Sequence, residues 1–150
     1  MKIIQAEKKH FSEINSLIED EFPYTKKTIP EISLRERQGS SIFVAEEKKV
    51  FMGFIEFKLK GFEASLLGIA VKKEFRKKSI GKKLFDFFIE YCKKNSVKKI
   101  SLLVKKENLH AKTIYKSRGF AEAGELEKKI DGFVINRMQL TLDEGSAGVN

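Results

Sequence analysis

Apolar residues in this chain change their period several times, and each change marks an element. Lys2 to Ala6 reads as a short strand, after which Phe11, Ile14, Leu17 and Ile18 recur at helical spacing with Ser12 placed to cap the helix. That helix is expected to end near Phe22 and Pro23. Thr28-Ile29-Pro30-Glu31 has the form of a capping box, so a second helix of about two turns is expected, stopped by Gly39. Ser41 to Glu46 and Val50 to Leu59 then alternate apolar and polar residues around the charged turn Glu47-Lys48-Lys49. Ala64 to Val71 is a third such run after Gly61, which predicts an antiparallel meander. From Ile80, the apolar positions Leu84, Phe87, Phe88, Tyr91 and Cys92 mark a helix with one face on the sheet, stopping around Asn95. A strand over Lys98 to Val104 follows, then a helix over Leu109 to Arg118 closed by Gly119. Two strands, around Gly124 to Ile130 and Val134 to Leu142, complete the set with a turn at Asp131-Gly132.

This order predicts an α/β domain, a mixed sheet with helices on both faces, spanning residues 1–142; residues 143–150 read as a flexible tail. At 150 residues the chain is the size of one domain with one core. Hydrophobic residues at 41% and charged residues at 34% exclude a disordered chain. The N-terminus meets charge before an apolar run develops, so a signal peptide is not expected, and the longest uncharged stretch, Ala64 to Val71, is far short of the ~20 residues that cross a bilayer. The only cysteine, Cys92, has no partner for an internal disulfide and reads as a core residue on a helix. Together these features place the protein in the cytoplasm as an expectation, with no membrane partner.

The charge of +9 favours an anionic ligand, and its distribution says where. Seven of the twelve positions from Lys72 to Lys83 are basic. They form a turn between a strand, Leu67 to Val71, and the helix that starts at Ile80. Amides of a first helical turn lack intrahelical partners and carry the positive end of the helix dipole, so such a turn is suited to a diphosphate. Lys82 and Lys83 stand where a helix selected for stability alone prefers Asp or Glu, and a bound polyanion reverses that penalty. A solvated basic face is the plainer explanation. A P-loop is excluded, because Arg76 stands where its first glycine is required and Lys83 replaces its Ser or Thr. The dinucleotide fingerprint fails as well, since Gly68 and Gly81 have no glycine between them.

A second motif lies at Asn108-Leu109-His110-Ala111-Lys112-Thr113-Ile114-Tyr115, ending in Gly119-Phe120. Asn is a good N-cap, and Ala111 and Tyr115 fall four apart on one helical face. Taken together, Arg76-Lys77-Lys78-Ser79-Ile80-Gly81 and Asn108-x-x-Ala111-x-x-x-Tyr115-x-x-x-Gly119-Phe120 resemble the two cofactor motifs of the GNAT superfamily of N-acetyltransferases. The resemblance implies the GNAT fold, a mostly antiparallel sheet of six to seven strands. It also implies acetyl-CoA as acyl-donor cosubstrate, with no metal. Direct attack by a small-molecule amine, or by a peptide or protein amine, would pass through a tetrahedral intermediate. On these residues it implies that main-chain groups of Ile69, Ala70 and Val71 bind the pantetheine arm. The turn from Arg76 through Lys77, Lys78, Ser79 and Ile80 to Gly81 and Lys82 would hold the diphosphate. Asn108 and Ala111 would flank the cofactor arm, and Tyr115 would donate a proton to the departing thiolate. The Val71 amide is a candidate oxyanion donor. A homodimer is compatible with this reading.

The sequence departs from the family at two places. Ser79 stands where a glycine is usual; either serine there adopts a strained left-handed backbone, or it does not and its hydroxyl serves the helix start or a phosphate, and the second is preferred. The base also differs. The histone-modifying branch carries a glutamate on the fourth strand, where this chain has Ser65. A branch that modifies protein N-termini carries one on the fifth strand, where Leu103 stands. Glu56 on the third strand is the best remaining carboxylate, although a solvated strand residue is the commoner explanation. Phe22, Pro23 and Tyr24 fall where relatives shape the acceptor channel, and His10 and His110 read as surface or cap residues. Two other functions compete: a non-catalytic acyl-CoA-binding module, against which Tyr115 argues, and a nucleic-acid binder, against which the lack of aromatics among the basic residues argues.

Overall fold

The computed structural model describes residues 1–21 and 32–142. Its strands are β1 (Lys2–Gln5), β2 (Ser41–Glu47), β3 (Val50–Lys60), β4 (Glu63–Val71), β5 (Lys99–Lys105), β6 (Ala121–Glu125) and β7 (Ile135–Thr141), and its helices α1 (Phe11–Glu21), α2 (Ile32–Arg37), α3 (Ile80–Lys94) and α4 (Leu109–Ser117). The seven strands form an open sheet in the order β1-β2-β3-β4-β5-β7-β6. Its registered pairs are antiparallel except β4 with β5, which is parallel over Glu63↔Lys99 to Ser65↔Ser101. The expected mixed, mostly antiparallel α/β architecture is present. The proposed capping box and Phe22, Pro23 and Tyr24 lie outside the described residues, as does the C-terminal tail.

Backbone contacts divide the chain into two compact units, one of Met1–Lys58 with Leu67–Glu90, the other of Leu59–Leu66 with Tyr91–Asn150. In the first, the period-two alternation of β2 sends Ile42 and Val44 to one face and Phe43 to the other. Ile42 and Val44 join Ile14 and Leu17 of α1, Phe51, Phe54 and Ala70 in one cluster. Phe43 instead packs on Phe87 of α3 at a ring separation of 4.7 Å, and Phe57 meets Phe88 at the same distance. Helices therefore cover both faces of this part of the sheet. β3, sandwiched between them, is buried continuously from Phe51 to Phe57.

In the second unit, Ile100, Leu102 and Val104 of β5 point inward while Leu103 on the opposite face is half exposed. Their cross-strand partners on β7 are Leu140, Met138 and Asn136. Cys92 is fully buried, as expected of a core residue, and burial pushes its thiol up to about 12, which keeps it protonated.

Three local expectations change. Ser12 lies inside α1, because a 3-10 turn over Lys8–His10 leads into the helix and the capping box is formed by Glu7 and His10. His10 is thus a cap as expected, but a buried one: its Nδ1 accepts the Glu7 N–H at 2.9 Å, and its Nε2 lies 3.3 Å from Glu46 Oε2. The strand sought at Gly124 to Ile130 runs instead from Ala121, and Ile130 makes only an isolated bridge to Phe133 across the Asp131-Gly132 turn. Alternation is too weak over five residues containing two glutamates and a glycine to place that strand from sequence.

Candidate functional site

In the first unit, the strand–turn–helix is present as read. β4 ends at Val71, a 3-10 turn covers Lys73–Phe75, and α3 opens at Ile80 with no acidic residue in its first turn. Ala70 is buried, whereas Ile69 and Val71 are partly accessible and Leu67 is half exposed, so the end of β4 shows an apolar edge to solvent. Lys77 has φ of +72° and Ser79 of +60°, with Lys78 between them outside the left-handed region. This alternation of hand makes a concave run of amides of the kind that binds anions. The N–H groups of Ile80, Gly81 and Lys82 stand ahead of the first return bond of α3 and have no partner within the helix. The first return bond of the helix is Lys83 N–H to Ser79 C=O at 3.0 Å. A diphosphate fits the donors at this helix start.

Ser79 corrects an expectation. It adopts the left-handed backbone, so the strained alternative holds, and the position needs what glycine supplies freely. Ile80 is buried, which leaves only its main chain for a ligand, while Lys77, Lys78 and Lys82 are exposed. Arg76 is held on both sides: its Nη2 pairs with Glu21, and its Nε donates to the Val71 carbonyl at 3.1 Å.

Two glycines bracket Val71 for different reasons. A Cβ at Gly53 on β3 would lie 2.6 Å from the Ala70 carbonyl oxygen, so only glycine lets β4 pass at that distance. A Cβ at Gly81 would meet nothing nearer than Val71 Cγ2 at 3.7 Å, an ordinary contact. The fold itself does not demand glycine at 81, and its missing side chain leaves room there for a closely approaching ligand. Gly53 was legible as an isolated glycine inside an apolar strand, but nothing in the pattern tied it to the site.

Glu56 is not solvated. It is buried, and Arg35 of α2 grips it with two bonds of 2.9 Å, Nε to Oε2 and Nη2 to Oε1. The expectation failed because β3 is covered on both faces, so alternation leaves no solvent side. A carboxylate clamped in this bidentate manner is a structural tie between α2 and β3.

In the second unit, Asn108 caps α4, its Oδ1 accepting the Ala111 N–H at 3.1 Å. Gly119, at φ of +93°, closes the helix, and the Phe120 N–H returns to the Tyr115 carbonyl at 3.1 Å. Tyr115 packs its ring 6.2 Å from that of Phe120, and burial raises its phenol above the ordinary value, so it stays protonated at neutral pH. Ser65 and Leu103 stand on β4 and β5, the fourth and fifth strands, both accessible. His110 is exposed on α4.

One functional candidate escaped the sequence reading. Lys112, one turn before Tyr115, is the only buried lysine among the described residues. Its Nζ bonds Glu122 Oε1 of β6 at 2.9 Å and Asn136 Oδ1 of β7. Its position three residues from Tyr115 was visible as the same helical face, but a lysine there reads first as solvated.

Among the described residues, no helix is long and apolar enough to cross a membrane. The sequence pattern of the acetyltransferase (GNAT) family matches residues 11–120. A Bacillus subtilis protein named as a ribosomal protein bS18-alanine N-acetyltransferase is 29% identical over 102 residues, covering 68% of this chain and 67% of its own. The crystal structure of the ribosomal-protein-S18-alanine N-acetyltransferase from Escherichia coli superposes with a TM-score of 0.79 at 23% identity, over 93% of this chain and 92% of that one. The Salmonella typhimurium acetyltransferase yncA, solved with its cofactor acetyl-CoA, gives a TM-score of 0.79 at 19% identity, over 96% and 95% of the two chains. At these identities the two structural likenesses are likenesses of fold.

Proposed function

Because this chain belongs to the acetyltransferase (GNAT) family and is an acetyl-CoA-dependent N-acyltransferase, we propose that its acceptor is an α-amine, the N-terminus of a peptide or protein. The observation that carries this is that none of the three strand positions weighed for a base, 56, 65 and 103, holds a free carboxylate. Ser65 and Leu103 occupy the two strand positions where a glutamate was sought, and Glu56 is buried under Arg35. An α-amine with pKa near 7.8 is already roughly 10% neutral at pH 7, whereas a lysine amine near 10.4 is about 0.1% neutral or less. The α-amine therefore needs the least help, and water suffices to take its proton. The names of the B. subtilis and E. coli relatives, alanine N-acetyltransferases of a ribosomal protein, support the same acceptor class.

In this reading the amides from Lys77 to Gly81 hold the diphosphate, and main-chain groups of Ile69 to Val71 bind the pantetheine arm. The neutral amine attacks the thioester carbonyl, the negative charge gathers on its oxygen near the Val71 amide, and the C–S bond breaks as the amide forms. Tyr115 gives its phenolic proton to the thiolate sulfur, and the proton lost by the amine goes to water. Asn108 spends its side-chain oxygen on the helix cap, which leaves its amide group for the cofactor arm.

A second acceptor class has one observation in its favour. A cleft of about 430 Å³ in the first unit is lined by Glu13, Asp20, Glu21 and Glu74 with Lys72 and Lys73, an acidic excess that suits a polyamine. The test is thiol release from acetyl-CoA with three amines: an alanyl peptide, spermidine and free lysine. The alanyl peptide is expected to turn over fastest, with its acetylated N-terminus seen by mass spectrometry. Acetylation of spermidine alone overturns the α-amine reading.

A further inference from the structure

Resting on the reading of Tyr115 as proton donor, we infer that Lys112 is a positioning residue for the transfer, and that its ammonium group sets the rotation and depth of α4 so that the Tyr115 hydroxyl stands at the thioester sulfur. Lys112 and Tyr115 are three residues apart on one helical face. The Lys112 ammonium is buried and bonds two different strands, Glu122 of β6 at 2.9 Å and Asn136 of β7. The network continues in both directions. Lys116 lies 3.6 Å from the other Glu122 oxygen, the Asn136 side chain also bonds Glu125, and Glu125 pairs with Lys106 at 2.8 Å. Lys112 draws the Glu122 carboxyl below the usual range, first through its hydrogen bond and then through its charge.

An apolar residue at 112 would cover the same surface without removing an ammonium from water, which is unfavourable unless every donor is matched. What the ammonium adds is direction. Apolar packing lets a nine-residue helix rock about its axis, whereas two bonds to adjacent strands fix that angle. The Asn108 cap and the Gly119 closure fix the two ends of α4 but not its roll. Lys112 reaches from the middle of this helix to Glu122 on β6 and to the buried Asn136 on β7.

The test is a double-mutant cycle on Lys112→Met and Tyr115→Phe, run with acetyl-CoA and whichever amine of the panel above the wild type acetylates fastest. Lys112→Met is expected to lower kcat ~10-fold with the KM for acetyl-CoA within about twofold. Tyr115→Phe should lower kcat ~100-fold, and the double variant should be no slower than Tyr115→Phe alone. Losses that multiply to ~1,000-fold in the double variant overturn the proposal, as does a KM for acetyl-CoA that rises in step with the fall in kcat. Should Lys112→Met not fold by circular dichroism, Glu122→Gln, at the half-exposed partner, serves in its place. It is expected to lose about twofold to threefold in kcat in the wild-type background and nothing in the Tyr115→Phe background. Full activity of Lys112→Met beside a crippled Tyr115→Phe removes Lys112 alone. Full activity of Tyr115→Phe, or no amine acetylated by the wild type, removes the parent reading and Lys112 with it.

Discussion

The turn between β4 and α3 and the helix α4 are held in opposite ways. The turn is exposed, carries two non-glycine residues in the left-handed region, and opens a helix whose first amides have no partner within it. Its Arg76 is held by a surface ion pair with Glu21 and a bond to Val71. α4 has its polar ends closed by Asn108 and Gly119 and its middle bonded to two strands through Lys112. The difference matches the tasks assigned to them. A main-chain cradle must keep its donors unpaired until the anion arrives, and it tolerates strain to do so. A proton donor must keep one atom in one place, which favours a fully bonded support.

The largest expected effect tests the rigid side. Tyr115→Phe should cut kcat about 100-fold, near 2.7 kcal/mol, and leave the affinity for acetyl-CoA unchanged by calorimetry. The pH dependence follows from the same residue. Burial raises the phenol above its ordinary value, so the acidic form persists past pH 10. The alkaline fall in kcat due to this group should lie above pH 10 and vanish in Tyr115→Phe. Equal losses in kcat and affinity would make Tyr115 a packing residue and end the contrast.

Gly81→Val tests the cradle and should come second. An added Cβ meets only Val71 Cγ2 at 3.7 Å, so the folded chain accepts it and a helix gains by losing a glycine. Acetyl-CoA affinity should nevertheless fall more than about tenfold, near 1.4 kcal/mol, because the side chain fills the space the diphosphate needs. Unchanged affinity in a folded variant would move the anion elsewhere. The contrasting control is Gly53, where a Cβ 2.6 Å from the Ala70 oxygen must displace β4 itself.

Most of this architecture was legible because its signals are local. The strands and helices followed from period two against period 3.6, and the turn stood out by its density of charge. What stayed hidden depended on partners far along the chain. Glu56 alternates like a solvent-facing strand residue, but β3 is covered on both faces and Arg35, 21 residues earlier, pairs with the buried carboxylate. Lys112 looks like any helical lysine until Glu122 and Asn136 are brought beside it. The hand of the backbone at Ser79 was not legible either, since serine occupies both regions and nothing in its neighbours decides between them.

That residue gives the smallest and sharpest test of the strained cradle. A non-glycine residue in the left-handed region costs roughly 1–2 kcal/mol. Glycine removes that cost but adds ~0.5–1 kcal/mol of freedom to the unfolded chain, so the net gain for Ser79→Gly should be about 0.5–1 kcal/mol. In a chain of this length that raises the melting temperature by about 1–4 °C. The acetyl-CoA affinity should stay level or rise, because the amides keep their directions while the serine side chain is gone. A drop in affinity with the same gain in stability would mean that the hydroxyl itself touches the phosphate. The cradle would then be built partly from a side chain, as α4 is, and the division between the two regions would be one of degree.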